Sequence, residues 1–207
     1  MRKNEALKVI GLLIMVVDHI ALFVFGGIPW LYALARFIGF PFFAYGVAIG
    51  ARYTSRPGGY LKRLLVFALI CQPVFYYATG EHRLNVVFTL LLGAAAVMLW
   101  HSGNNYARIS AWVLPLLGGA WSDPTVGYAA YGIYSVLAFG VSPIVAFFYQ
   151  LGSALLFVQQ GNIQFLACLC LLFIYVLPVP AFRLPRWVFY VSYPGHLALI
   201  ALVVNFT

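Results

Sequence analysis

The chain has 207 residues, of which 64% are hydrophobic and only 8% charged, with a formal net charge of +8. A soluble domain carries about 25% charged residues, so this composition excludes a soluble globular enzyme, a disordered chain and a secreted disulfide scaffold. With a mean hydropathy of +0.97 it points to a polytopic membrane protein, in which lipid solvates most side chains; the pattern of its apolar runs makes the expected fold an all-α bundle.

At about 20 residues per crossing the chain supplies about nine transmembrane helices. Gly, Pro and polar clusters place them at 6–25, 29–50, 60–78, 85–100, 107–121, 125–141, 144–159, 163–178 and 188–206. The apolar runs are continuous, whereas barrel strands alternate, so helices are expected. The first run follows Arg2, Lys3 and Lys8 and is interrupted by Asp18-His19, with no clear small-residue cleavage site after it. It reads as a retained helix and not as a signal peptide. Neither an internal repeat nor a low-complexity linker is visible, so residues 1–207 form one expected domain.

Basic residues orient the bundle. With the N-terminus cytoplasmic, Arg2, Lys3, Lys8, Arg52, Arg56, Lys62, Arg63, Arg108, Arg183 and Arg186 all fall at inner ends, while Arg83 is in an outer loop and Arg36 inside a span. This positive-inside bias accounts for the net charge without a nucleic-acid partner. Cys71, Cys168 and Cys170 lie in apolar runs and read as small buried hydrophobes. No metal-ligand spacing is present, and no metal is expected.

An ionisable group near a helix centre costs about 2.5–3.5 kcal/mol on insertion scales and usually faces a cavity or the bundle interior. Asp18 and His19 in the first span and Arg36 in the second lie about seven residues, or about 10 Å, below the outer surface. Gln72 lies about six residues from the outer end of the third span, Asn85 and Thr89 occupy the outer end of the fourth, and His196 is near the middle of the last beside Tyr193 and a Pro194-Gly195 break, so polar groups of five helices are expected at one level in the outer half. Asp18 and His19 point about 100° apart on a helix. An arrangement with Asp18 against Arg36 and His19 facing a cavity satisfies both, because a paired carboxylate and guanidinium are cheaper to bury than either alone. The same pair also fits a purely structural role. His19 and His196 also fit packing roles, and Gln72, Asn85 and Thr89 also fit interhelical hydrogen bonding. Glu5, Asp18, Glu81 and Asp123 are the full set of acids, too few for a paired-carboxylate mechanism. A histidine near a cation suits general-base group transfer; the same set suits the proton relay of a proton-coupled secondary transporter. A non-catalytic membrane assembly factor is a third class.

Asp18-His19-Ile20, Arg36-Phe37-Ile38-Gly39-Phe40-Pro41, Tyr60-Leu61-Lys62-Arg63-Leu64-Leu65 leading to Gln72-Pro73, Leu84-Asn85-Val86-Val87-Phe88-Thr89-Leu90, Tyr131-Gly132 and Tyr193-Pro194-Gly195-His196-Leu197, in this order, resemble the TraX family, whose namesake is an F-pilin N-terminal acetylase. The family is similar to the wider transmembrane acyltransferases. The resemblance implies a multi-pass protein of the bacterial cytoplasmic membrane, in contact with membrane lipids. It would move an acetyl group from cytoplasmic acetyl-CoA to an amine or hydroxyl at the membrane or outer side, on an acceptor peptide such as a pilin N-terminus or on an envelope glycan or lipid. By position it implies His19 as general base with Arg36 nearby, Asp18 orienting Arg36, and His196 in the C-terminal block. Gln72, Asn85, Thr89 and Tyr193 are expected to stabilise substrate or intermediate. Arg52, Arg56, Lys62 and Arg63 are expected to attract the phosphates of CoA, beside their ordinary positive-inside role.

Overall fold

The computed structural model describes residues 3–27, 29–122, 128–156, 167–176 and 185–206, and every regular element in them is helical. The helices are α1 (Lys3–Phe23), α2 (Pro29–Tyr53), α3 (Pro57–Thr79), α4 (Val86–Trp100), α5 (Asn105–Ser122), α6 (Tyr128–Val141), α7 (Pro143–Leu156) and α8 (Arg186–Phe206), with a short wide-wound turn at Leu172–Val176 between α7 and α8. Each expected span from the first to the seventh, and the last, has a helix of its own. The span expected at 163–178 corresponds to the 167–176 segment.

Local chemistry sets the boundaries. Proline opens α2, α3 and α7, where its missing N–H costs nothing and its φ is already helical. α3 stops at Gly80, which takes φ 68° and returns its N–H to the Tyr76 carbonyl at 2.8 Å; glycine meets no Cβ penalty there. Asn85 caps α4 by accepting the Val87 N–H at 2.9 Å. Ser142 does the same for α7, its hydroxyl accepting the Val145 N–H at 3.1 Å. This one-residue break after α6 is tighter than the spans at 125–141 and 144–159 suggest. Pro41, Pro73, Pro115 and Pro194 lie inside helices, where each removes one main-chain hydrogen-bond donor.

Packing falls into two groups. α4 and α6 lie at the centre of the first, with α2 against both, α5 against both and α7 against α6. The close α4–α6 approach depends on Gly132, where a Cβ would lie 2.5 Å from Thr89 Cγ2. α8 packs on α3 and α1, and α3 joins the groups through α4, as α1 does through α2. One core cluster, around Phe42, Val97, Tyr131 and Leu137, fills the first group. A second, around Ala68, Cys71, Phe88, Tyr193 and Leu197, joins α3, α4 and α8.

The exterior is apolar. Leu13, Ile70, Tyr77, Leu117, Ile144, Val176, Leu199 and Leu202 are all exposed. Among the described residues two helices, Ala6–Phe23 and Pro57–Thr79, are long and apolar enough to cross a membrane. The three cysteines are free thiols, Cys71 and Cys170 buried and Cys168 partly so.

Candidate functional site

A cavity of about 1440 Å³ is walled by α1, α2, α3, α4 and α8, with Ala129 of α6. Its lining follows α3 from Tyr60 and Arg63 in the first turns to Thr79 at the end, a distance of about 28 Å at helical rise. One end carries Lys8, Arg63, Tyr53, Thr54 and Ser55; the other carries Thr79, Glu81 and Arg83. Asp18, His19, Thr89 and Tyr193 line it between those ends.

His19 is half-buried on α1, and its Nδ1 lies 2.7 Å from Nε2 of His196 on α8. The ring centroids are 4.9 Å apart with 13° between the planes. Rings stacked face to face would keep their atoms about 3.5 Å apart, so these rings meet edge to edge and nearly coplanar, the geometry of a hydrogen bond. His196 is buried, and its Nδ1 lies 2.8 Å from the Ser192 carbonyl oxygen one turn earlier. Around the pair stand Phe23, 5.8 Å from the His19 ring, and Tyr193, 5.7 Å from the His196 ring. Phe67 and Tyr193 are in edge contact at 6.2 Å. The dyad is thus held by aromatic walls and backs onto the α8 main chain, with His19 on the cavity side.

The expected residues divide by location. Asp18, His19, Arg63, Thr89 and Tyr193 line the cavity, and His196 stands behind His19. The Arg36 side chain, and with it the expected pairing to Asp18, lies outside the described residues. So do Arg2 and Arg183. Arg52 is exposed and reaches the Gly140 carbonyl at 3.4 Å, which His101 also contacts at 2.9 Å. Arg56 precedes α3 at the surface, and Lys62 is exposed on it. None of these three is on the cavity wall, whereas Lys8, read in sequence only as an orienting charge, is. Its ammonium sits 5.4 Å from the Phe189 ring.

Gln72 and Asn85 face each other and not the cavity. The Asn85 amide nitrogen donates to the Ala68 carbonyl at 2.9 Å and to Gln72 Oε1 at 2.8 Å, and its main-chain N–H also donates to Gln72 Oε1. Gln72 Nε2 donates to the Arg83 carbonyl at 2.9 Å. This knot fixes the Gly80–Asn85 turn, which carries Glu81 and Arg83 to the cavity mouth as an ion pair at 2.5 Å. The sequence places Arg83 in an outer loop and counts Glu81 only among the acids, with no sign that the two meet at this mouth. A separate buried network joins Tyr131, Gln150, Ser135 and Ser153 between α6 and α7; Gln150 and Ser153, three apart in an apolar run, were the signal for it. Among the described residues no three His, Cys, Asp or Glu side chains gather as a metal site would require.

The family described as TraX protein matches residues 3–204, so the chain belongs to the TraX family. A relative named probable fimbrial assembly protein FimC, serogroup H1, of Dichelobacter nodosus is 26% identical over 234 residues, covering 94% of this chain and 92% of its own length. No solved structure matches the chain.

Proposed function

We propose that this protein is a multi-pass membrane acetyltransferase that takes acetyl-CoA from the cytoplasm and acetylates an amine or hydroxyl acceptor at the membrane or its outer side. The observation that carries this reading is the placement of His19, a potential base, on the wall of a long cavity that is basic at one end and bears Glu81 and Arg83 at the other. The apolar exterior supports several crossings, since an exposed apolar surface of this extent is costly in water. The name of the relative supports an acceptor in fimbrial or pilin assembly. An envelope glycan or lipid meets the same chemical requirement.

The donor enters at the basic end, its phosphates drawn by Lys8 and Arg63 and more distantly by Arg52, Arg56 and Lys62. Its thioester arm extends along the cavity toward His19. The imidazole removes the proton of the acceptor N–H or O–H as that nitrogen or oxygen attacks the thioester carbonyl carbon. The C–S bond of the tetrahedral intermediate then breaks, and the thiolate takes the proton back from His19. Thr89 and Tyr193 are the donors for the oxyanion on the cavity wall. On the family resemblance, Arg36 is assigned the role of cation and Asp18 that of orienting it. Gln72 and Asn85 act by holding the acceptor-side turn.

The test uses protein reconstituted in vesicles with labelled acetyl-CoA and acceptor peptide. His19→Ala lowers the transfer rate by about 10²–10⁴-fold, the usual worth of a placed base; full activity in a folded variant ends the proposal. A cavity that follows the whole of α3 also suits a proton-coupled transporter. Substrate flux without consumption of acetyl-CoA would favour that reading.

A further inference from the structure

We infer that His196 is a positioning residue that, with the Ser192 carbonyl, fixes the tautomer of His19 and so makes Nε2 the nitrogen that accepts the proton. The inference rests on the proposed reaction for its purpose but on geometry for its content. A carbonyl oxygen only accepts, so the 2.8 Å contact with Ser192 requires the hydrogen of His196 to be on Nδ1. In the neutral ring Nε2 then carries the lone pair. The 2.7 Å contact with His19 needs a donor, and the donor is the Nδ1–H of His19. With both rings neutral this assignment is unique, and it leaves the lone pair of His19 on Nε2.

The fold supports the assignment from both sides. α1 and α8 pack directly on one another, so the contact spans two helices far apart in sequence. His196 is buried at 8% exposure, and its second nitrogen is anchored one turn back on its own helix. This is the role a carboxylate plays behind the histidine of a hydrolase triad, taken here by a neutral imidazole. The step balances. The acceptor loses its proton to His19 Nε2, His19 becomes an imidazolium whose Nδ1–H points at His196 Nε2, and the departing thiolate recovers the proton from Nε2. His196 touches no reacting atom.

Two measurements test this. Nitrogen-15 spectra of histidine-labelled protein in nanodiscs, assigned with single substitutions, read the tautomers directly and do not require acetyl transfer. The expected signature is protonated Nδ1 and bare Nε2 on both His19 and His196; a His19 ring protonated at Nε2 overturns the inference, whether or not the protein is an acetyltransferase. In the transfer assay, His196→Leu lowers kcat by about 10²-fold with KM for acetyl-CoA unchanged, as expected for a base in the wrong tautomer. His196→Gln, whose Oε1 takes the place of Nε2, recovers at least tenfold of that loss. Equal activity of the two variants, with the spectra of His19 unchanged in His196→Leu, overturns it as well. If the wild-type protein transfers no acetyl group, the proposed function fails while the spectra still decide the tautomer.

Discussion

Asn85 shows how much one polar side chain can fix in an apolar bundle. It is completely buried, and its amide caps α4, ties α3 at Ala68 and holds Gln72. Removing a cap costs about 1 kcal/mol, and leaving its buried partners unsatisfied adds about 1–3 kcal/mol. Asn85→Ala is therefore expected to destabilise the protein by about 2–4 kcal/mol, read as a lower midpoint of denaturant unfolding in detergent, whereas Asn104→Ala, which removes only the exposed cap of α5 that accepts the Tyr106 N–H at 2.8 Å, costs about 1 kcal/mol or less. Asp18→Asn is a separate case. It keeps the shape of a cavity-lining group and removes its charge, so on the proposed reading it lowers transfer less than His19→Ala does, measured in the same vesicle assay. His19 and Asp18 were legible as candidates because charges in an apolar run are expensive. The partnership of His19 with His196, 177 positions away, was not, since depth along a helix says nothing about which face it presents.

At the scale of the helices, small residues decide how close the walls come. The α4–α6 contact at Gly132 leaves no room for a Cβ, while Gly152 on α7 has nothing within 4 Å of where one would be. Gly132→Ala should cost about 1–3 kcal/mol through overpacking and push Thr89 toward the cavity. Gly152→Ala should be neutral or stabilising by up to about 1 kcal/mol, because alanine is the better helix former. Thermal unfolding of the two variants side by side checks this, and equal shifts would refute the packing account. Helix positions were readable from apolar runs and from the Pro and Gly residues that bound them. The 167–176 segment departs from a plain α-helix at Leu172–Val176, and no break residue in Leu-Phe-Ile-Tyr-Val announces it.

At the scale of the whole molecule, the charges divide the two ends. Lys8 and Arg63 stand at one mouth of the cavity, Glu81 and Arg83 at the other. The proposed orientation predicts that a cysteine at Ser55 is labelled by a membrane-impermeant thiol reagent only from the cytoplasmic side of vesicles, and one at His82 only from the outside. Labelling of both from the same side would refute it. Lys8→Ala with Arg63→Ala is expected to raise KM for acetyl-CoA by about tenfold or more, and Arg52→Ala with Arg56→Ala by less, because only the first pair lines the site.

The continuity of its apolar runs, and not composition, marked this chain as helical, since barrel strands would alternate. The order of its motifs placed it in the TraX family, and the cost of a charge in an apolar run singled out Asp18, Arg36 and the two histidines. Tertiary structure decided which side chains meet. It put His19 against His196, turned Gln72 and Asn85 into a structural knot, took Arg52, Arg56 and Lys62 off the cavity wall, and brought in Lys8, Glu81 and Arg83. The reason is rotational: rise along a helix follows from counting residues, but the face each helix turns inward is set by packing against neighbours that lie far away in the chain.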